Sequence, residues 1–116
     1  MAVSPSLGDF EQLVLLALVR LGDQAYGVTI HNEIVRRAGR DVTVAAVYKT
    51  LERLELKGFA VSTLGEPTAE RGGRRKKHFR IQPAGRRALA HAVGSLRRMA
   101  DGLPELDGAF PAEEEA

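Results

Sequence analysis

The chain has 116 residues, 17 of them Lys or Arg and 15 Asp or Glu, and it contains neither cysteine nor tryptophan. That length supports one domain with a modest core. Disulfides, thiolate nucleophiles and cysteine metal ligands are excluded, and the lack of cysteine fits a reducing compartment.

Residues 1–8 hold Ser4, Pro5, Ser6 and Gly8 and read as a flexible arm. A first helix is expected from Phe10 to Leu21, with Asp9 as N-cap and Gln12 as its partner three residues on. The apolar run Leu13 to Val19 is seven residues long, too short to span a bilayer. No basic segment precedes it, so a cytoplasmic protein without a membrane partner is the expectation. This helix is apolar on more than one face. Either it sits centrally in its own domain or it is shared with a second subunit.

Gly22 ends that helix, and Asp23 to Ala25 form a short link. A second helix is expected over Tyr26–Ala38, with Ile30, Ile34 and Ala38 on one stripe. Arg36 and Arg37 suit its C-terminal dipole, and contact with a DNA phosphate is the functional alternative. Gly39 terminates it, and Arg40, Asp41 and Val42 make the turn onward.

Thr43 to Lys57 is the stretch around which the chain is organised. Val47, Leu51 and Leu54 form the apolar stripe of a third helix, and Thr43 can cap its first turn. Tyr48, Lys49, Thr50 and Arg53 are expected on the outer side. Gly58 stops the helix. A hairpin follows, Phe59 and Val61 opposing Ala60 and Ser62 in facing, with Phe79 and Ile81 inward and His78 and Arg80 outward on return. Between the strands, Gly65 to Lys77 is polar and glycine-rich, and it carries Arg71, Arg74, Arg75, Lys76 and Lys77. Helix, turn, helix and a hairpin with a basic tip is the order of a winged helix-turn-helix, a mainly α (α+β) fold whose natural target is double-stranded DNA.

Pro83 can open a last helix. Leu89, Val93, Leu96, Ala100 and Leu103 repeat at coiled-coil spacing, and Met99 lies on the neighbouring face. With the surplus apolar surface of the first helix, this suggests a homodimer. Its expected interface is Phe10, Leu13, Val14, Ala17, Leu89, Val93, Leu96, Met99, Ala100 and Leu103. Gly94 weakens the helix but permits close approach. The expected division is arm 1–8, winged-helix DNA-binding domain 9–82, dimerisation helix 83–106 and disordered acidic tail 107–116.

Charge follows the same division. Arg71 to Arg98 contains ten bases and no acid, whereas Asp101 onward contains six acids and no base. One surface is therefore suited to a polyanion, the bland alternative being a solvated face and an acidic tail. His31, His78 and His91 are not at metal-ligand spacing, and no nucleophile elbow or nucleotide-binding loop occurs. No cofactor, metal or enzymatic activity is expected.

The segments LGDFEQLVLLAL at 7–18, AYGVTI at 25–30, AVYKTLERLELKGF at 46–59 and GEPTAERGGRRKKHFRIQPAGRRAL at 65–89 together resemble the PadR-like transcriptional regulators, in their short branch with a single C-terminal helix. The resemblance implies a homodimer that binds operator DNA, usually as a repressor. It places Tyr48 at the DNA backbone with Lys49 beside it, Arg74, Arg75 and Lys76 in the basic wing, and Thr43 at the helix cap. Arg53 is either a DNA contact or an internal ion pair. Ala46 and Thr50 complete the expected reading face. Some relatives bind a small effector at the dimer interface, but no cluster here names one. The chain departs from the pattern at Ala45, often glycine, at Gln82, often threonine, and at His78 and Phe79, often tyrosines. The competing readings are a winged-helix interaction module without an operator, an RNA-binding protein lacking aromatic platforms, and a small enzyme.

Overall fold

The computed structural model describes residues 6–65 and 76–107. The expected arm over 1–5, the loop residues Arg71, Arg74 and Arg75 and the acidic tail from 108 onward lie outside the described residues. The elements are α1 (Asp9–Leu21), a 3-10 turn (Gly22–Gln24), α2 (Gly27–Ala38), α3 (Val44–Leu56), β1 (Ala60–Leu64), β2 (Lys77–Ile81), α4 (Pro83–Ala100) and the short α5 (Pro104–Asp107).

Helix α1 is central. It packs against α2, α3, β2 and α4, which explains why apolar residues occupy more than one of its faces. Val14, Leu15, Ala17 and Leu18 from α1 meet Ile30 and Ile34 from α2 and Val47, Leu51 and Leu54 from α3. Ala25, Phe59, Ala60, Phe79 and Leu89 close the core. Each fully buried Leu or Ile here contributes roughly 1.5–3 kcal/mol relative to exposure.

The start of α1 differs from expectation. Gly8, not Asp9, occupies the cap position, and its N–H donates to Glu11 Oε1 at 2.8 Å. Asp9 is already helical and pairs with the Arg40 guanidinium at 2.6 Å, while the Gln12 amide donates to the Leu7 carbonyl at 3.3 Å. Tyr26 caps α2, its N–H donating to Thr29 Oγ1 at 3.0 Å. In the last turn of α2, Arg36 and Arg37 both pair with Glu33, at 2.7 and 2.8 Å. That gives each arginine a structural role within the helix. Hydrogen bonding from Arg37, outweighing desolvation, holds the Glu33 carboxyl below its usual range.

The hairpin is antiparallel, with Ala60 opposite Ile81 and Leu64 opposite Lys77. Phe59 is not yet strand. Its N–H still closes the end of α3 on the Leu54 carbonyl at 2.9 Å, and its carbonyl accepts from Gln82 N–H at 2.8 Å. Phe59 and Ala60 are both buried, so the alternation expected on the first strand does not hold at its start. It does hold on β2, where Phe79 is buried and Arg80 exposed. His78 is the exception, half-buried against Tyr26. Tyr26, expected as the first residue of the second helix, is instead extended and bridges His78, and in the link before it the Ala25 carbonyl accepts from Phe79 N–H at 2.9 Å.

The expected helix through 106 is divided. It stops at Ala100, Asp101 is extended, Gly102 takes φ +77°, and Pro104 opens α5. Proline cannot donate back into a preceding turn, so the axis restarts there. Three expected interface residues belong to the chain's own core instead: Val14, Ala17 and Leu89 are buried. Phe10, Leu13 and Val93 are half-buried against that core. Leu96, Met99 and Leu103 are exposed, as are Leu16 and Val19, which the sequence did not single out for the interface. No described helix is long and apolar enough to cross a membrane.

Candidate nucleic-acid interface

Helix α3 is positioned from both ends. At its start, Thr43 Oγ1 accepts from Ala46 N–H at 3.0 Å, as the sequence suggests. Capping of this kind contributes about 1 kcal/mol. At its end, Gly58 turns the chain with φ +78°, a conformation costly for any residue with a Cβ.

Between the ends, α3 is held to α1 by a buried carboxylate. Lys57 Nζ donates to both Glu11 oxygens at 2.9 Å and to the Ser6 carbonyl at 3.1 Å. Arg53 stands 3.7 Å from the same carboxylate and donates to Thr50 Oγ1 at 3.2 Å. Burial alone would raise the Glu11 pKa. The Gly8 N–H, Lys57 and the charge of Arg53 outweigh it and hold the group below its ordinary value of 4.5. A carboxylate with a lowered folded pKa stabilises above its unfolded pKa and loses that contribution as pH falls through the folded value. Glu11→Gln should therefore cost about 1–3 kcal/mol at pH 7. Thermal melts should show the gap between variant and parent closing below about pH 4. A gap of equal size at pH 3.5 would mean that the carboxylate's charge is not what holds the two helices.

The outer side of α3 presents Thr43, Ala45, Tyr48, Lys49 and Glu52, with Ala46 half-buried among them. Lys49 has no carboxylate partner among the described residues. Thr50 is a correction: it is 1% exposed, on the inner side between Val47 and Leu54, and cannot reach a base edge in this fold. Arg53 remains half-exposed but is engaged with Glu11 and Thr50, in keeping with an internal ion pair.

Tyr48 is supported from below. Its phenol lies so close to the Cα of Gly27 that a methyl group there would overlap the ring. The glycine of AYGVTI and the tyrosine of AVYKTL are thus one contact. Gly27→Ala should lift the phenol from its seat and weaken binding to any duplex by about three- to tenfold, the value of one hydrogen bond. Filter binding with Tyr48→Phe as reference checks it. Unchanged affinity in both variants would remove Tyr48 from the interface.

At the loop end of the hairpin strands, the Lys76 ammonium lies 4.4 Å from the Tyr26 ring centroid, and His78 meets the same ring edge-on at 5.4 Å. Lys77 is the first residue of β2 rather than part of the loop, and it is exposed. Lys76 and Lys77 thus stand where the second strand emerges from the loop. Among the described residues no group of three or more His, Asp or Glu could hold a metal ion.

A three-helix core whose third helix follows a short turn, backed by a two-stranded hairpin, defines a winged helix-turn-helix protein. The family model described as the transcriptional regulator PadR-like family matches residues 15–91, and the chain belongs to that family. It is accordingly a DNA-binding transcriptional regulator and not an enzyme. Solved structures share the fold. A PadR family transcriptional regulator from Eggerthella lenta is 25% identical, with a TM-score of 0.61 over 82% of this chain and 80% of that one. A transcriptional regulator from Clostridium thermocellum gives 22% and 0.65 over 86% and 87%. A PadR family regulator from Clostridium difficile gives 17% and 0.64 over 84% and 97%, a likeness of fold alone. No curated protein sequence matches the chain significantly.

Proposed function

We propose that the chain is a homodimeric, sequence-specific binder of operator DNA, acting as a repressor. The observation that carries the reading is the outer side of α3, where Tyr48 and Lys49 stand exposed on a helix whose inner side is fully packed. Ala46 and Lys49 would meet base edges in the major groove, Ala46 against a thymine methyl. Tyr48, Lys76, Lys77 and the wing residues Arg71, Arg74 and Arg75 would hold phosphates or the edge of the minor groove.

Pairing is supported by unpartnered surface. Leu96, Met99 and Leu103 are exposed at the C-terminal end of the described chain. A groove of about 540 Å³ between α1 and α2 is lined by Leu13, Leu16, Val19 and Ile34, with Arg20 and Arg37 at its rim. The apolar stripe of a second copy would seat in that groove, beside Arg20 and Arg37, which both pair with Glu33 within this chain.

Selection of bound sites from randomised duplex DNA tests the reading. Two related half-sites centred about 10 base pairs apart, one helical turn, are expected. A dimer that enriches no sequence and shifts no duplex at low salt would instead be an interaction module that has kept the fold.

A further inference from the structure

The turn between α2 and α3 runs from Gly39 to Val42, and one of its backbone groups is held by a side chain from α2. The Val42 carbonyl lies 2.8 Å from His31 Nε2. A carbonyl only accepts, so Nε2 carries a hydrogen. The opposite ring nitrogen, Nδ1, is 3.0 Å from the Asn32 side-chain amide. That amide can offer its oxygen to a charged ring or, turned over, its NH2 to a neutral one.

The residue after Val42 is Thr43, whose hydroxyl caps α3 through Ala46 N–H. Val42 itself packs against the core. The imidazole thus bridges α2 to the residue from which the reading helix is launched. Arg40, in the same turn, is tied to Asp9 at the start of α1. The turn is fastened on both sides, and His31 is the fastening nearest Ala46 and Lys49.

We propose that His31 is a positioning residue that sets sequence preference by fixing the start of α3, an inference that rests on α3 reading DNA. His31 acts through the turn and touches no base. Base-edge contacts depend on register, whereas phosphate contacts from long, flexible cations tolerate a shift. Loosening the turn then lowers discrimination more than it lowers binding.

The test uses the full chain with His31→Leu and His31→Gln, a duplex obtained by site selection, and a scrambled duplex of equal length. Leucine cannot donate to Val42, whereas a glutamine amide can. The leucine variant should lose about tenfold on the selected duplex, the value of one good positioning contact, and less than twofold on the scrambled one. The glutamine variant should recover most of the loss. Long-range nitrogen–proton correlation spectra of the parent should show Nε2 protonated, and amide exchange at Thr43 to Ala46 should quicken in the leucine variant alone. An unchanged ratio between the two duplexes, equal weakening on both, or a ring protonated only at Nδ1 would overturn the proposal. If the parent itself discriminates between no duplexes, the operator reading fails, and the spectra and exchange still decide whether His31 fixes the turn.

Discussion

Replacing Arg74 and Arg75 together with alanine is expected to weaken binding to selected and scrambled duplexes alike, by roughly a hundredfold at moderate salt. A hydrogen bond to a charged group contributes about 1.5 kcal/mol net, which is close to tenfold for each arginine. The same variant should flatten the dependence of binding on salt. Each phosphate neutralised releases counterions worth about 0.9 of a unit in the log–log slope, so the slope should fall by about 2. Specificity should survive, because in the proposed complex the wing holds backbone while α3 reads bases. Fluorescence anisotropy from about 50 to 300 mM salt reads both quantities. An unchanged slope would remove the wing from the interface and leave α3 to bind alone.

Gly85→Ala is expected to cost about 3 kcal/mol of stability, a fall in Tm of roughly 10–20 °C. Gly85 is buried in the first turn of α4. A Cβ there would overlap the Phe59 carbonyl oxygen and stand 3.1 Å from Ile81 Cγ1. The obstacle is backbone, and that carbonyl already accepts from Gln82 at 2.8 Å, so nothing can swing aside. Gly94, nine residues on in the same helix, makes the contrast. The nearest atom to a Cβ there is Arg98 Nη1 at 3.2 Å, the far end of an exposed side chain. Gly94→Ala should therefore stabilise the chain by about 0.5–1 kcal/mol through helix propensity. Should it also weaken pairing, Gly94 lies where two copies approach closely. Equal destabilisation by the two substitutions, in calorimetry, would contradict the packing of α4 on the hairpin.

The third helix was legible because its signals are local. Val47, Leu51 and Leu54 mark the inner face, and Thr43 stands where its hydroxyl can close the first turn. Thr50 departs from its expected outward place for a chemical reason. Positions 47, 50, 51 and 54 are the full inner stripe of a helix, but a threonine hydroxyl is polar and by residue type alone reads as outward. In the fold it is buried and accepts from Arg53. The cap of α1 was misplaced because Gly8 has no side chain to announce it, whereas Asp9 beside it does.

Other features depend on residues far apart in the chain. The burial of Glu11 is explained by Lys57, 46 residues away. The support of Tyr48 by Gly27 and of His78 by Tyr26 likewise appears only when helix and hairpin are in place. Apolar spacing showed that α1 and α4 have much to bury, but not against what. Val14, Ala17 and Leu89 turned inward to the chain's own core, and Leu16, Val19, Leu96, Met99 and Leu103 were left outside it. That remainder is the apolar surface available to the proposed homodimer.

In the proposed complex, paired chains hold two reading helices at one spacing. Light scattering of the full chain, free and with a selected duplex at micromolar concentration, measures this most directly. The mass of two chains, free and on each duplex, is the expected result. A single chain in both states, bound to one half-site with undiminished affinity, would contradict it.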